Sequence, residues 1–403
     1  MCSTSTSSQE IEEEQPQTLG DKAISSTYGG NLSQGFLTGS FTKNNNSIYY
    51  TLPTSDYRGL WGIMTSAQYD ISISVYYSDT DPSHPFLTGT NYISVIPTYY
   101  NRTTYILLQN NNFNHPSFSF GVSATELDSS DYDYIKYNIS SKTMGLYGYS
   151  ATVSNLNYVP IGNTIVDESD LDLIDNDGLQ NVLATGSPYD SVAQMISTHY
   201  YGSSNHLGTG TAFRIRPNVF ATNGHMVFDK DYFSFVHSAT LFPERDSINA
   251  VSINIVSYSI PLRYFLETND FDYDFAIVET INDTSTDSLG MNAVETLSEN
   301  DEIYMLGYPT PSSHNYMQQF SSGEIYEIST QVPTMLTTLP ADGNIYGGSS
   351  GSPVFKNGYV IGINNGSVSF YNSNNIKIAC YEHAILFDSD IQSFVVTRLL
   401  ANI

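Results

Sequence analysis

Residues 344–366 read NIYGGSSGSPVFKNGYVIGINNG, from Asn344 to Gly366. Three serines stand among glycines, and an apolar, strand-like run follows. Such a stretch is either a turn between two strands or a serine nucleophile on a loop that leaves backbone N–H groups free. Glycine supplies the backbone angles and the close approach that the second arrangement needs. Gly348 and Gly351 flank the central serine, Ser350. A nucleophilic serine also needs a base, and the base an orienting carboxylate. The fold therefore turns on whether the rest of the chain offers both.

Residues 206–228 read HLGTGTAFRIRPNVFATNGHMVF: small residues, an alternating strand, then His225. As one of eight histidines it says little alone. Residues 269–280 read NDFDYDFAIVET, with Asp274 at the mouth of the apolar strand FAIV. A carboxylate there can be half buried and still hold an imidazole N–H. Asp270 and Asp272 are close rivals, since acidic loop residues are ordinarily just solvated.

The chain order His225, Asp274, Ser350 is one of the three orders in which this triad occurs. Here the resemblance becomes specific. The region from Pro188 to the end resembles the trypsin-like (chymotrypsin-fold) serine peptidases, and among them the bacterial glutamyl-endopeptidase branch, which lacks the disulfides of animal trypsins. GTGTAF resembles the family's strand leading to the histidine, TNGH its T-x-x-H pattern and DFAIV its D-hydrophobic-A-[IL] pattern. IYMLGYP (Ile303 to Pro309), GGSSGSPVF and VIGINNG follow in the family's order. The resemblance implies Ser350 as nucleophile, His225 as general base and then acid, Asp274 as the group that orients the imidazole, and the N–H groups of Gly348 and Ser350 as the oxyanion hole. It implies protein or peptide substrates and no cofactor or metal.

Two departures concern specificity and activation. Ser349 stands before the nucleophile where the family carries Asp or Asn, so an ion pair between a freed N-terminus and this position is not expected. Asn344 occupies the pocket-floor position of trypsins and is not acidic. Asn364 stands where Glu-specific relatives carry histidine. Asn344, Asn364 and Gly366 are the expected substrate-binding residues, with a neutral or small polar P1 residue preferred and Gly366 leaving an extended edge for the substrate backbone. Cys380 and His383 lie three apart on one strand, so they point to opposite faces and read as structural.

The chain has 403 residues, 41 acidic against 14 basic, net −27. That charge repels a phosphate backbone and anionic membrane surfaces, and nucleic-acid binding is excluded. The two cysteines, Cys2 and Cys380, make no disulfide framework. No run of eighteen apolar residues occurs. The start, MCSTSTSSQEIEEEQPQ, resembles a mature bacterial lipoprotein, with Cys2 as the lipid-carrying residue on a polar tether. The expected location is secreted or at the bacterial cell surface, and a monomer is expected.

Residues 1–27 read as a disordered tether. From 28 to 125, short runs such as NSIYYTLP, YDISISVYYSD and NYISVIPTYY alternate with Asn, Pro, Gly and Asp. They predict a β-sandwich accessory domain, resembling the prepeptidase C-terminal type of module. Residues 126–187 read as a connector or pro-segment with some strands. Within it, Asp175–Gly178 (DNDG) is an Asx-Gly turn whose carboxylates also suit calcium, without the full loop spacing. Residues 188–403 form the peptidase domain, closed by a helix over DSDIQSFVVTRLLANI. The predicted class is mainly β: two six-stranded chymotrypsin-type barrels with a C-terminal helix, preceded by a β-sandwich. The function implied is a serine endopeptidase acting through an acyl-enzyme; the alternative is a catalytically inactive protease-fold binding protein or adhesin.

Overall fold

The structure is a computed structural model. It describes residues 26–400 apart from 34, 54–57, 79–83, 100–101, 150–165, 167–172, 177–178, 183–188, 202–203, 244–250, 268–271, 284, 292–295, 310–317, 331, 333 and 339–346. Cys2, Asn344 and the glycine of the 175–178 turn lie outside the described residues.

Two barrels close in the C-terminal half. In the first, six strands form a ring: Ile253–Pro261, Ala276–Thr280, Val219–Thr222, Ser204–Arg216, Val192–Tyr201 and Ser234–Pro243. Leu241 pairs with Ile253 to close it. In the second the ring runs Gln319–Ile328, Glu302–Gly307, Pro353–Lys356, Tyr359–Tyr371, Lys377–Leu386 and Thr334–Thr337. Ile325 pairs with Thr337 to close that one. Closure removes the unpaired edges that an open sheet of the same strands would expose. The helix Ser389–Leu400 follows the second barrel. Ile391, Phe394 and Val395 bury its inner face, the 3.6-residue spacing that the sequence displays. The expected two-barrel, chymotrypsin-type class with a closing helix is what the chain adopts.

The stretch before the barrels is sewn to both. The hairpin Tyr134–Asn138/Thr143–Tyr147 extends the first barrel by pairing with Ile253–Pro261. The hairpin Leu173–Asn176/Leu179–Val182 extends the second by pairing with Gln319–Ile328. Between them Val166 donates its N–H to Gly358 O (3.0 Å) and accepts from the Tyr304 hydroxyl. Glu279, on the first barrel, takes Lys136 of the first hairpin at 2.6 Å and Arg398 of the closing helix on its other oxygen. Burial opposes ionisation of Glu279, but these partners and Ser257 win and hold its pKa down at about 2. Arg214, fully buried, is likewise paired, with Asp283 at 2.7 Å.

Among the described residues, nine further strands between Thr27 and Glu126 form one continuous ladder. Its alternation is plain in SISVYY (Ser72–Tyr77), where Ile73 and Val75 are buried. These buried residues share one apolar cluster with the core of the first barrel. Arg58 donates to Phe265 O at 2.7 Å, and its guanidinium lies 5.1 Å from the Tyr99 ring centre. Arg102 donates to Phe233 O at 3.3 Å. Phe233 holds a left-handed backbone (φ 46°) although it is bulky and buried. Rings of Tyr77, Tyr99, Phe228 and Phe265 surround it.

Candidate active site

The first barrel presents His225. The strand Val219–Thr222 is followed by a one-turn 3-10 segment, Gly224–Met226, that carries His225. Asp274 lies just before the strand Ala276–Thr280, paired to the same wall. Two hydrogen bonds join them. The His225 N–H donates to Asp274 Oδ1 at 2.7 Å, and His225 Nδ1–H donates to Asp274 Oδ2 at 2.6 Å. The Asp274 carbonyl in turn accepts from Asn223 Nδ2 at 2.9 Å. Gly224 makes room for this: a Cβ there would meet Tyr264 at 2.6 Å and Asp274 Oδ1 at 3.0 Å. The carboxylate is 1 % exposed, while the imidazole is 36 % exposed. Desolvation works against protonation of His225, but the charge and hydrogen bond of Asp274, with the charge of Asp229, outweigh it and raise the pKa. Of the three candidate aspartates, Asp274 is the one that holds the imidazole; Asp270 lies outside the described residues.

The second barrel presents Ser350, on the loop before the strand Pro353–Lys356. Backbone contacts fix this loop. Thr211 N–H donates to Ser350 O at 2.7 Å, and Thr211 Oγ1 donates to Gly348 O at 3.0 Å. Gly351 N–H donates to Asn364 O at 2.8 Å. Gly348 and Gly351 sit at φ 90° and 87°, where side chains are disfavoured. A Cβ on Gly351 would fall 1.9 Å from Thr211 O and 2.7 Å from Thr222 Oγ1. Among the described residues, neither the Gly348 nor the Ser350 N–H donates to a protein acceptor. Both amides are thus available to a ligand oxygen.

Thr211 and Thr222 bring the halves together. Thr222, three residues before His225, donates its hydroxyl to Thr211 O at 2.8 Å, and Thr211 holds the Ser350 loop. From Gly210, a Cβ would meet both Met226 Sδ (2.6 Å) and Ser350 O (3.0 Å). The Ser350 hydroxyl itself donates to Asn365 O at 3.3 Å.

Of the expected substrate-binding residues, Gly366 lies on the strand Tyr359–Tyr371 with open space beside its Cα. Asn364 is turned inward: it is 1 % exposed, and its Nδ2 reaches Ser349 Oγ at 3.2 Å. His383, on the neighbouring strand, pairs with Gly366 and comes within 3.5 Å of Asn365 Nδ2. Cys380 instead contacts Ser369. Sequence reasoning passed over Thr211, Asn223 and Asn365. Thr211 lies inside the quoted GTGTAF, but a strand threonine gives no sign that it will bridge to residue 350.

Residues 210–363 match the family model described as a trypsin-like peptidase domain. A glutamyl endopeptidase from Bacillus licheniformis is 26 % identical over 179 residues, which cover 43 % of this chain. The chain spans half the length of that relative. Among solved structures, a Glu endopeptidase in complex with MPD aligns over 56 % of this chain and 98 % of its own, at 23 % identity and a TM-score of 0.44. The protease Anisep from Arthrobacter nicotinovorans aligns over 52 % and 95 %, at 17 % identity and a TM-score of 0.38. The resemblance carried by His225, Asp274 and Ser350 is thus to the trypsin-like peptidases.

Proposed function

We propose that this chain is a serine endopeptidase in which Ser350 attacks the scissile carbonyl. His225 Nε2 takes the hydroxyl proton and returns it to the leaving amine. Asp274 keeps the proton on Nδ1 and stabilises the imidazolium. The N–H groups of Gly348 and Ser350 receive the oxyanion, and water then hydrolyses the acyl-enzyme. The observation that carries this reading is the pair of hydrogen bonds from His225 to one buried carboxylate. They leave Nε2 as the ring nitrogen that Asp274 does not engage. The raised pKa of His225 predicts an acid limb: activity falls as pH drops through a value above the ordinary 6.5. Hydrolysis of a denatured protein substrate by the wild type, and none by Ser350→Ala, is the expected result. Absence of hydrolysis in both would favour the inactive binding protein.

For specificity, Asn364 offers no charge and is occupied by Ser349, which favours a neutral P1 residue. A second reading has its own observation. His383 lies in register with Gly366, and the Bacillus relative is named a glutamyl endopeptidase. On that reading His383 receives a P1 carboxylate. A peptide-library profile separates the two: glutamate cleavage lost in His383→Ala supports the second, and cleavage after neutral residues indifferent to that change supports the first.

The N-terminal ladder is read as a β-sandwich accessory unit, and the chain as secreted or surface-tethered through Cys2. No helix among the described residues is long and apolar enough to cross a membrane.

A further inference from the structure

Phe233 stands eight residues beyond His225, bulky, buried and in a left-handed backbone at φ 46°. A bulky residue in that region is strained and persists only where its surroundings over-determine it, and strain of this kind collects at functional sites. Much of what holds Phe233 comes from the N-terminal ladder and its loops. The Tyr99 and Tyr77 rings lie 4.6 and 5.5 Å from its ring, centre to centre. Arg102 donates to its carbonyl at 3.3 Å, and the Arg58 guanidinium lies 5.9 Å from its ring centre.

Arg58 makes the tightest of these joins. It is buried just before the strand Gly59–Ala67. Its Nη1 donates to Phe265 O at 2.7 Å, and its Nη2 donates to Lys230 O at 3.4 Å. The rigid guanidinium fork thus fixes two segments of the first barrel against each other. One is 228–233, which runs on from His225. The other is the short helix Leu262–Leu266, whose Tyr264 is fully buried. Tyr264 reaches the site itself. A Cβ on Gly224 would meet its ring at 2.6 Å and Asp274 Oδ1 at 3.0 Å, so ring and carboxylate crowd one point. That oxygen accepts the His225 backbone N–H at 2.7 Å. The Tyr264 hydroxyl donates to Phe228 O at 3.4 Å, back to the first segment. From Arg58 to the His225–Asp274 pair the path crosses Phe265 and Tyr264, neighbours in one helical turn, and both are buried. Close-packed interiors of this kind transmit displacement.

We propose that Arg58 is a positioning residue of the peptidase site, and that through it the N-terminal ladder holds the His225–Asp274 pair in its working geometry. The accessory unit then serves the catalysis of the barrels that follow it. Removing the two donors of Arg58 frees the helix and the 228–233 segment to shift, and Tyr264 carries that shift to Gly224 and Asp274. This rests on the peptidase reading, and it adds a role in catalysis for a residue that touches no reacting atom.

The test compares the full chain with Arg58→Met, which keeps an apolar stem in place and removes both donors. Two quantities are read: the rate of labelling by a fluorophosphonate, corrected for the folded fraction by circular dichroism, and the proton resonance of His225 Nδ1–H, which its hydrogen bond to Asp274 moves downfield. Arg58→Met should label about tenfold more slowly per folded molecule, as for a reacting group slightly displaced, and its Nδ1 proton should move upfield. A purely structural role lowers the melting temperature and leaves both quantities alone. An unchanged rate or an unchanged resonance in folded Arg58→Met overturns the proposal and leaves the peptidase reading standing. No labelling of wild type at any pH overturns both. Should Arg58→Met fail to fold, wild type alone decides. Trp61, the one tryptophan of the chain, is buried in the ladder, so its fluorescence follows the ladder. In a urea titration Ser350 labelling should be lost with the Trp61 transition, and labelling that outlasts it contradicts the proposal.

Discussion

The two barrels share a ring of six strands but differ in how their buried charged side chains are held. In the first, the buried charged side chains are paired, Asp274 by His225, Arg214 by Asp283, and Glu279 by Lys136, Ser257 and Arg398, while neutral oxygens such as Asn223 Oδ1 and Thr280 Oγ1 are not. In the second, Glu382, Asn364 and Thr337 leave oxygens unpaired behind the Ser350 loop. Paired networks in low dielectric are rigid, and unpaired groups store free energy that a proton can release. The first barrel thus holds His225 in one geometry. The second holds the Ser350 loop by backbone contacts and glycines, where a small change in the interior reaches the Ser350 backbone.

The sharpest way to break this comparison is Asp274→Asn. The asparagine oxygen still accepts the His225 N–H, but its NH₂ group faces Nδ1 and forces the proton to Nε2. Turnover should fall by roughly 10⁴-fold with little loss of stability, since the geometry survives the wrong tautomer. Steady-state kinetics beside a thermal melt would check it. Gly351→Ala attacks the second barrel's side: at φ 87°, with Thr211 O 1.9 Å from the new Cβ, the loop must move. Activity should drop by roughly 10²-fold or more, as for a reacting group displaced by about an ångström, while the first barrel keeps its hydrogen-exchange protection.

Smaller effects test the paired side. Glu279 has a folded pKa of about 2 against an ordinary 4.5. Its contribution to stability is therefore present above pH 4.5 and lost as pH falls from 4.5 to 2. The contribution is about 3 kcal/mol at most. Glu279→Gln should lower the melting temperature at pH 7, and the gap from wild type should close toward pH 2. Glu382 carries the opposite sign. Its raised folded pKa favours the fold below pH 4.5, and that advantage is lost as pH rises toward 8. Smallest of these, Arg58→Ala removes the donor to Phe265 O and the cation over Tyr99. It should cost about 1–3 kcal/mol, read as a lower denaturant midpoint for the first barrel and the N-terminal ladder together.

Much of this was legible in the sequence, and the limits are instructive. His225, Asp274 and Ser350 could be read because each sits in a local pattern that its own chemistry requires, as Gly348 and Gly351 show beside the serine. Single strands could be read because alternation is a property of each strand alone; their closure into two barrels was implied only by the resemblance to the trypsin-like peptidases. What could not be read depends on distant partners. Arg58 and Phe265 stand 207 residues apart, and nothing in either segment names the other. Asn365 meets Ser350 through a backbone carbonyl, which every residue type possesses. Glu382 is one acidic residue among 41, and only strand register turns it inward. The stretch 126–187 reads as a connector because its strands are short, yet its two hairpins complete ladders begun more than a hundred residues later.

The most direct measurement of the central claim is mass spectrometry of the intact protein after exposure to a fluorophosphonate, with the modified residue located by peptide mapping. The account predicts a single adduct on Ser350, lost in Ser350→Ala and strongly slowed in His225→Ala. An adduct on Ser349 or Ser352, labelling that survives the His225 substitution unchanged, or no adduct at any pH would contradict it.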